Sequence, residues 1–135
     1  MRTPHLFLLL AALAAGTAQA ETPADFLNGY AQDARATNPD FRGFSAQNGE
    51  QFFKTRHRAD WSCSSCHTDR PTQTGRHATT GKRIEPLAPP ANAKRFTDRR
   101  HVEKWFKRNC YDVLDRACTT QEKGDVLSYL MSAKP

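Results

Sequence analysis

Methionine is nearly missing from this 135-residue chain: there are two, Met1 and Met131. Residues 2–130 therefore offer no thioether as a soft metal ligand. Long hydrophobic runs are equally scarce. Residues 6–15 form one, too short to span a bilayer, and no later segment is long and apolar enough to do so. No stretch alternates convincingly as a strand, which argues against a sheet-based fold. Neither an internal repeat nor a low-complexity tract is present. Apolar residues are 38% of the chain, and the part after residue 20 is low in them for its size. A core that thin points to help from a cofactor, a disulfide or a metal. One domain is expected at this length.

The first twenty residues carry the marks of an export signal. Arg2 supplies a positive start, residues 6–15 an apolar run, and Ala18-Gln19-Ala20 a small-x-small cleavage site. The expectation is a signal peptide over residues 1–20 and a periplasmic protein of one domain over residues 21–135. An uncleaved anchor is the competing reading, and the shortness of the apolar run speaks against it. Loss of Arg2 takes the formal net charge from +6 to +5.

The periodicity predicts helices. Thr22-Pro23 opens one, with Phe26, Leu27, Tyr30, Ala31 and Ala34 at helical spacing. Asn38-Pro39-Asp40 reads as a turn. Ser45 caps a second helix bearing Gly49, Phe52 and Phe53. Residues 68–93, rich in Pro, Gly and Thr, read as a long loop. Phe96-Thr97-Asp98 opens a third helix. Thr119 and Glu122 make a capping-box pattern ahead of a last helix with Val126, Tyr129 and Leu130 on one face.

The strongest motif is CSSCH, Cys63 to His67. In a c-type haem site two cysteines two residues apart form thioethers with the vinyl groups, and the next histidine ligates iron. A thioredoxin-like pair needs a βαβ surround, which is absent. A zinc site needs a second ligand pair, and Cys110 and Cys118 are too far apart to look like one. An export signal fits the compartment in which c-type haem is attached. Around the motif the sequence looks like a class I cytochrome c. Gly49 matches the glycine at which the N-terminal helix meets the C-terminal one, and Phe53 and Tyr129 match the aromatics beside it. Two ordinary core helices would read the same way.

The far side of the iron is then the question. No methionine lies between the motif and the last helix, and Met131 is a poor candidate at the chain's end. His57 directly precedes the motif and stays on the near side. His77, in the loop, and His101, at the edge of the third helix, are nitrogen candidates, although a histidine in a basic, polar chain is usually solvated. Asn109 is placed differently. In HVEKWFKRNC, Val102, Trp105 and Phe106 form an apolar stripe, and Asn109 falls in its middle. A buried amide needs a partner or costs about 1–3 kcal/mol. Iron, or a molecule on it, would be one; an asparagine capping the helix C-terminus is the other reading. The wheel leaves both open.

The segment from Pro86 to Leu130, with GFSAQNGEQFF and SCSSCHTDRPTQTGRH, closely resembles the sphaeroides haem protein family, and the likeness covers most of the chain after residue 20. The specific marks are the haem motif, RNC about forty residues on, and a second cysteine eight positions after the first. The resemblance implies an all-α, class I-like monohaem cytochrome c with one covalent haem c on Cys63 and Cys66. It implies His67 as proximal ligand, Asn109 as distal ligand of ferric iron, and walls from Trp105 and Phe106. Cys110 and Cys118 would be the family's disulfide. On reduction the asparagine lets go and the site takes dioxygen, nitric oxide or similar ligands. A multihaem cytochrome c, dihaem by this resemblance, is the implied redox partner.

Lys94, Arg95, Arg99, Arg100, Lys104, Lys107 and Arg108 crowd fifteen positions. They read as a solvated face or as a docking patch for an acidic electron donor. Nucleic acid is a poor third for an exported protein without a stacking platform. Some of these groups, or Lys82 and Arg83, are candidates to pair with haem propionates. Two other functions compete: a low-spin electron carrier with a permanent second histidine, and an oxygen, peroxide or nitric oxide reductase. For the last, the sequence offers no distal acid–base pair.

Overall fold

The computed structural model describes residues 20–135; the expected signal segment, save its last residue, lies outside them. The elements are helical apart from one tiny hairpin. In order they are α1 (Pro23–Thr37), α2 (Ala46–Lys54), a 3-10 turn (Arg58–Asp60), α3 (Ser64–His67), β1 (Gly75–Arg76), β2 (Arg83–Ile84), α4 (Arg99–Leu114) and α5 (Thr120–Ser132).

The helices start where the sequence supplies caps. Thr22 and Asp25 form a reciprocal capping box on α1, with Pro23 in its first turn. Ser45 accepts from the Asn48 amide at the head of α2. Asp98 accepts from the His101 amide at the head of α4. Thr119 and Glu122 repeat the capping box on α5. Each cap satisfies amides that the first turn leaves without helical partners.

The core sits where α5 meets α1 and α2. Phe26 and Tyr30 of α1, Phe53 of α2, and Val126, Leu127, Tyr129 and Leu130 of α5 are buried together with Phe96 and Val102. Phe26, Phe53, Leu127 and Leu130 are almost fully enclosed, each worth about 1.5–3 kcal/mol of burial. At Gly49 the α2 backbone lies directly on α5: a Cβ there would come within 1.9 Å of the Asp125 carbonyl oxygen. The Phe53 and Tyr129 rings meet beside this crossing, 5.5 Å apart. The glycine and aromatics singled out by the class I likeness thus occupy the crossing expected of them. Asp125, buried, accepts from the Ser45 amide at 2.7 Å and fastens the start of α2 to α5.

Helix α4 is held by side chains. Phe106 meets Tyr30 and Phe96 at 6.3 and 6.5 Å. The Tyr30 hydroxyl donates to Glu103 at 2.6 Å, and Lys123 of α5 donates to the other Glu103 oxygen at 2.5 Å. Burial opposes the Glu103 charge, but these two donors hold its carboxyl below the ordinary value.

One expectation is corrected. Residues 68–93 are not all loop: Gly75 pairs with Ile84 and Arg76 with Arg83 in an antiparallel hairpin. Its turn is closed by the His77 amide on the Lys82 carbonyl and by the Gly81 amide on the His77 carbonyl, with Gly81 at φ +68°. Strands of two residues are too short to show alternation, so the pattern of side chains carried no sign of them.

Candidate haem site

The short α3 carries the motif. Its first residues are locked by serines: Ser62 and Ser65 exchange backbone-to-hydroxyl hydrogen bonds at 3.0 and 3.1 Å. Thr68 then stops the helix at φ +62°. That conformation is strained for a β-branched residue, and it is held by the Thr68 hydroxyl, which donates to the Arg70 carbonyl at 2.7 Å. The turn sends the chain away immediately after His67. The hairpin returns over α3. A Cβ at Gly75 would stand 2.1 Å from the Cys66 carbonyl oxygen, so only glycine lets β1 lie this close. Beyond it the Ala78 amide donates to Cys66 Sγ at 3.3 Å.

Cys63 and Cys66 form no disulfide. Burial pushes the Cys63 thiol up to about 11, and its side chain packs against the aromatic core. His67 sits 6.4 Å from the Phe53 ring. Its Nδ1 is buried without a hydrogen-bond partner. Burial first, and the nearby Arg95 charge second, bring its pKa down to about 4. A neutral imidazole with an unsatisfied buried nitrogen, beside two unpaired thiols on one helical turn, fits a c-type haem. Cys63 and Cys66 would carry it and His67 would ligate its iron.

Helix α4 settles one alternative for Asn109. The helix runs five residues past it, and its C-cap is Asp115, in the left-handed conformation at φ 58°, with its amide on the Tyr111 carbonyl. Asn109 is mid-helix and does not cap it. Its neighbours on the stripe are Val102 and Val113, buried, and Phe106, half-buried. Asn109 itself is half-buried, and no hydrogen bond among the described residues engages its amide. Trp105, one turn before it, lies at the stripe's edge and is 40% exposed.

The other candidates fall elsewhere. His57 Nε2 donates to the Phe52 carbonyl at 3.1 Å, ahead of the motif. His77 Nδ1 accepts from the Thr79 and Thr80 amides in the hairpin turn. His101 is exposed on the first turn of α4, its ring 6.1 Å from Trp105. Cys110 and Cys118 are bonded, their Cα atoms 5.6 Å apart. The disulfide joins the last turns of α4 to the residue ahead of the α5 cap.

The crowded cations separate into classes that the sequence did not distinguish. Arg99 pairs with Glu21 and lies 4.6 Å above the Phe26 ring. Arg83 pairs with Glu85. Arg95 is half-buried, whereas Arg100, Lys104, Lys107 and Arg108 are exposed and have no carboxylate within ion-pair distance among the described residues. Tyr111, 49% exposed, follows them one turn on. Neither Arg95 nor Tyr111 stood out in the sequence, because burial and the facing of a single tyrosine are decided by the tertiary fold.

Comparison with known proteins agrees with this geometry. A family described as a domain of unknown function, DUF1924, matches residues 39–130. The cytochrome c-type protein SHP of Cereibacter sphaeroides is 42% identical over 130 residues, covering 92% of this chain and 95% of that protein. Cytochrome c'' of Methylophilus methylotrophus is 39% identical over 107 residues, covering 76% and 74%. Among solved structures, oxidized cytochrome c'' superposes with a TM-score of 0.75 at 35% identity, covering 84% of this chain and 95% of its own. Oxidized SHP, described as an oxygen binding cytochrome c, gives 0.71 at 39% identity, covering 82% and 96%. A solution structure of cytochrome c'' concerned with haem-ligand detachment gives 0.73. The chain belongs to the DUF1924 family and, with SHP and cytochrome c'', to the sphaeroides haem protein family of all-α cytochromes c that bind one haem covalently.

Proposed function

We propose that this cytochrome is exported to the periplasm, binds a small diatomic ligand after reduction, and exchanges electrons with a partner cytochrome. Cys63 and Cys66 would hold the haem, and His67 and Asn109 would be the ligands offered to its iron. The haem supplies a one-electron iron centre with a coordination position that dioxygen or nitric oxide can take. The observation that carries the reading is the Asn109 amide: it is mid-helix, in an apolar stripe, and without a hydrogen-bond partner among the described residues. Its oxygen is a hard, weak, neutral donor. Such a donor would suit ferric iron better than ferrous, so Asn109 would be held in the oxidised protein and freed in the reduced one. Phe106 shields it from water, and the freed amide can donate a hydrogen bond to an incoming ligand. SHP is an oxygen binding protein by its description, and haem-ligand detachment is described for cytochrome c''; both lend support.

Partner docking belongs to the outer side of α4. Arg100, Lys104, Lys107 and Arg108, with Tyr111 one turn beyond them, suit an acidic surface, with steering that fades as salt rises. The implied partner is a multihaem, dihaem cytochrome c. Among the described residues no helix is long and apolar enough to cross a membrane.

Optical spectra of ferric and ferrous protein, with and without carbon monoxide, test the reading. Ferrous protein is expected to be high-spin and to take up carbon monoxide. Asn109→Ala should open the ferric site to water or small anions and leave the His67 side intact. Asn109→His should give a low-spin, ligand-resistant protein. A low-spin ferrous wild type that ignores carbon monoxide would overturn the proposal in favour of a permanent second histidine, His77 or His101.

A further inference from the structure

Arg95 lies in the turn that leads into α4, and its guanidinium is half-buried. It has no carboxylate of its own. Nε donates to the Pro86 carbonyl at 2.9 Å and Nη2 to the Glu85 carbonyl at 2.7 Å. The Glu85 carboxylate is held by Arg83 Nε at 2.8 Å. Nη1 has no partner among the described residues. Burial lowers the Arg95 pKa, and the attraction of Glu85 offsets this only in part. The Arg95 charge in turn acts on His67; Glu85 and His67 are the titratable groups that face it.

A half-buried cation without a counter-charge is costly, and arginine's fixed fork suits a carboxylate. Its two carbonyl contacts orient the fork while leaving one nitrogen edge open. The loop that aims it is itself fixed, because the Asn92 side-chain amide also donates to the Pro86 carbonyl at 3.2 Å. Next in sequence, Phe96 is sunk in the core at φ +57° and anchors the turn. Haem carries two carboxylates, its propionates, at the edge away from its reacting vinyl groups.

We propose that Arg95 is the anchor for a haem propionate, fixing the carboxylate end of the group that Cys63 and Cys66 hold at its vinyl end. The other cations named from the sequence are all exposed, and Arg83 and Arg99 are already paired with Glu85 and Glu21. The assignment rests on attachment at the CSSCH motif and is independent of what Asn109 does. A positive charge held against the propionate stabilises the ferrous state electrostatically, so the arginine also sets the reduction potential.

The test is redox titration of haem-loaded protein between pH 5 and 8, comparing wild type, Arg95→Gln and Arg95→Lys. Arg95→Gln should shift the reduction equilibrium about tenfold toward the ferric state at neutral pH, ~59 mV for one electron. Its potential should also climb more steeply than wild type as pH falls, because the unpaired propionate then takes up a proton and regains charge balance. Arg95→Lys, which keeps the charge, should shift less. An unshifted potential and pH profile in fully haem-loaded Arg95→Gln would overturn the assignment, as would equal shifts in the two variants. If the glutamine variant does not accumulate, the propionate bending band of Arg95→Lys in resonance Raman decides: displacement supports the pairing and an unmoved band overturns it. A wild type without covalent haem would remove the attachment reading and this one together, whereas an unshifted, haem-loaded variant removes only the role of Arg95.

Discussion

Two of the helix contacts of this cytochrome are built on opposite principles. Where α2 crosses α5 there is no side chain between the backbones at Gly49, and Asp125 seals the joint with a hydrogen bond to the Ser45 amide. Where α4 meets the rest of the molecule, everything passes through side chains: the Phe106 ring, the Tyr30–Glu103–Lys123 network and one disulfide. A backbone joint cannot adjust without coming apart. A side-chain joint can shift by rotamer changes and keep its burial. The first kind lies beside the CSSCH motif, where the Phe53 ring stands 6.4 Å from His67. The second carries Asn109.

The largest expected effect comes from breaking the rigid joint. Gly49→Ala puts a methyl group where the Asp125 carbonyl stands, and should cost about 3 kcal/mol or more, the upper end of overpacking. Denaturant unfolding of haem-loaded protein measures it, and a loss below about 1 kcal/mol would mean that the joint adjusts like the other. Next is the adjustable joint. Cys110→Ser with Cys118→Ser should cost about 2–3 kcal/mol, the chain-entropy value for so short a loop, and should alter carbon monoxide uptake by the ferrous protein more than it alters the helical circular dichroism. Equal disturbance of both readouts would erase the distinction between the joints. The smallest effect on stability is expected outside both. Lys107→Glu with Arg108→Glu should stay within about 0.5 kcal/mol of wild type while slowing reduction by an acidic donor about tenfold at low salt. Rates that do not depend on salt would move the docking surface off α4.

The rigid joint was largely legible in the sequence. Ser45, Gly49, Phe53, Thr119, Glu122 and Tyr129 are local signals, each with one physical job, and each does that job in the fold. Helix α4 was legible in its start, at Asp98, and in its stripe, but not in its end. Nothing from Tyr111 to Leu114 breaks a helix, yet Asn109 and Asp115 both tolerate the left-handed conformation. Composition cannot choose between two such caps; the choice follows from continued burial at Cys110 and Val113, which is a tertiary fact. Arg95 was hidden for a similar reason. Among seven neighbouring cations it is distinguished by depth, and depth is set by where Phe96 and Pro86 anchor the loop.

The left-handed cap at Asp115 does more than end α4. Its carboxylate is ion-paired with Arg58, in the turn that leads into the haem motif, and one turn back the disulfide binds the same end of the helix to α5. The helix is therefore a beam clamped at one end and cushioned at the other. Any swing of such a beam would grow with distance from the clamp, and Asn109 lies close to it, whereas Val102 at the far end is sunk in the core. Under the proposed role of Asn109, its amide would withdraw by torsion about its own side-chain bonds. The moving part would be one side chain, on a helix end tied through Asp115 and Arg58 to the turn ahead of the CSSCH motif.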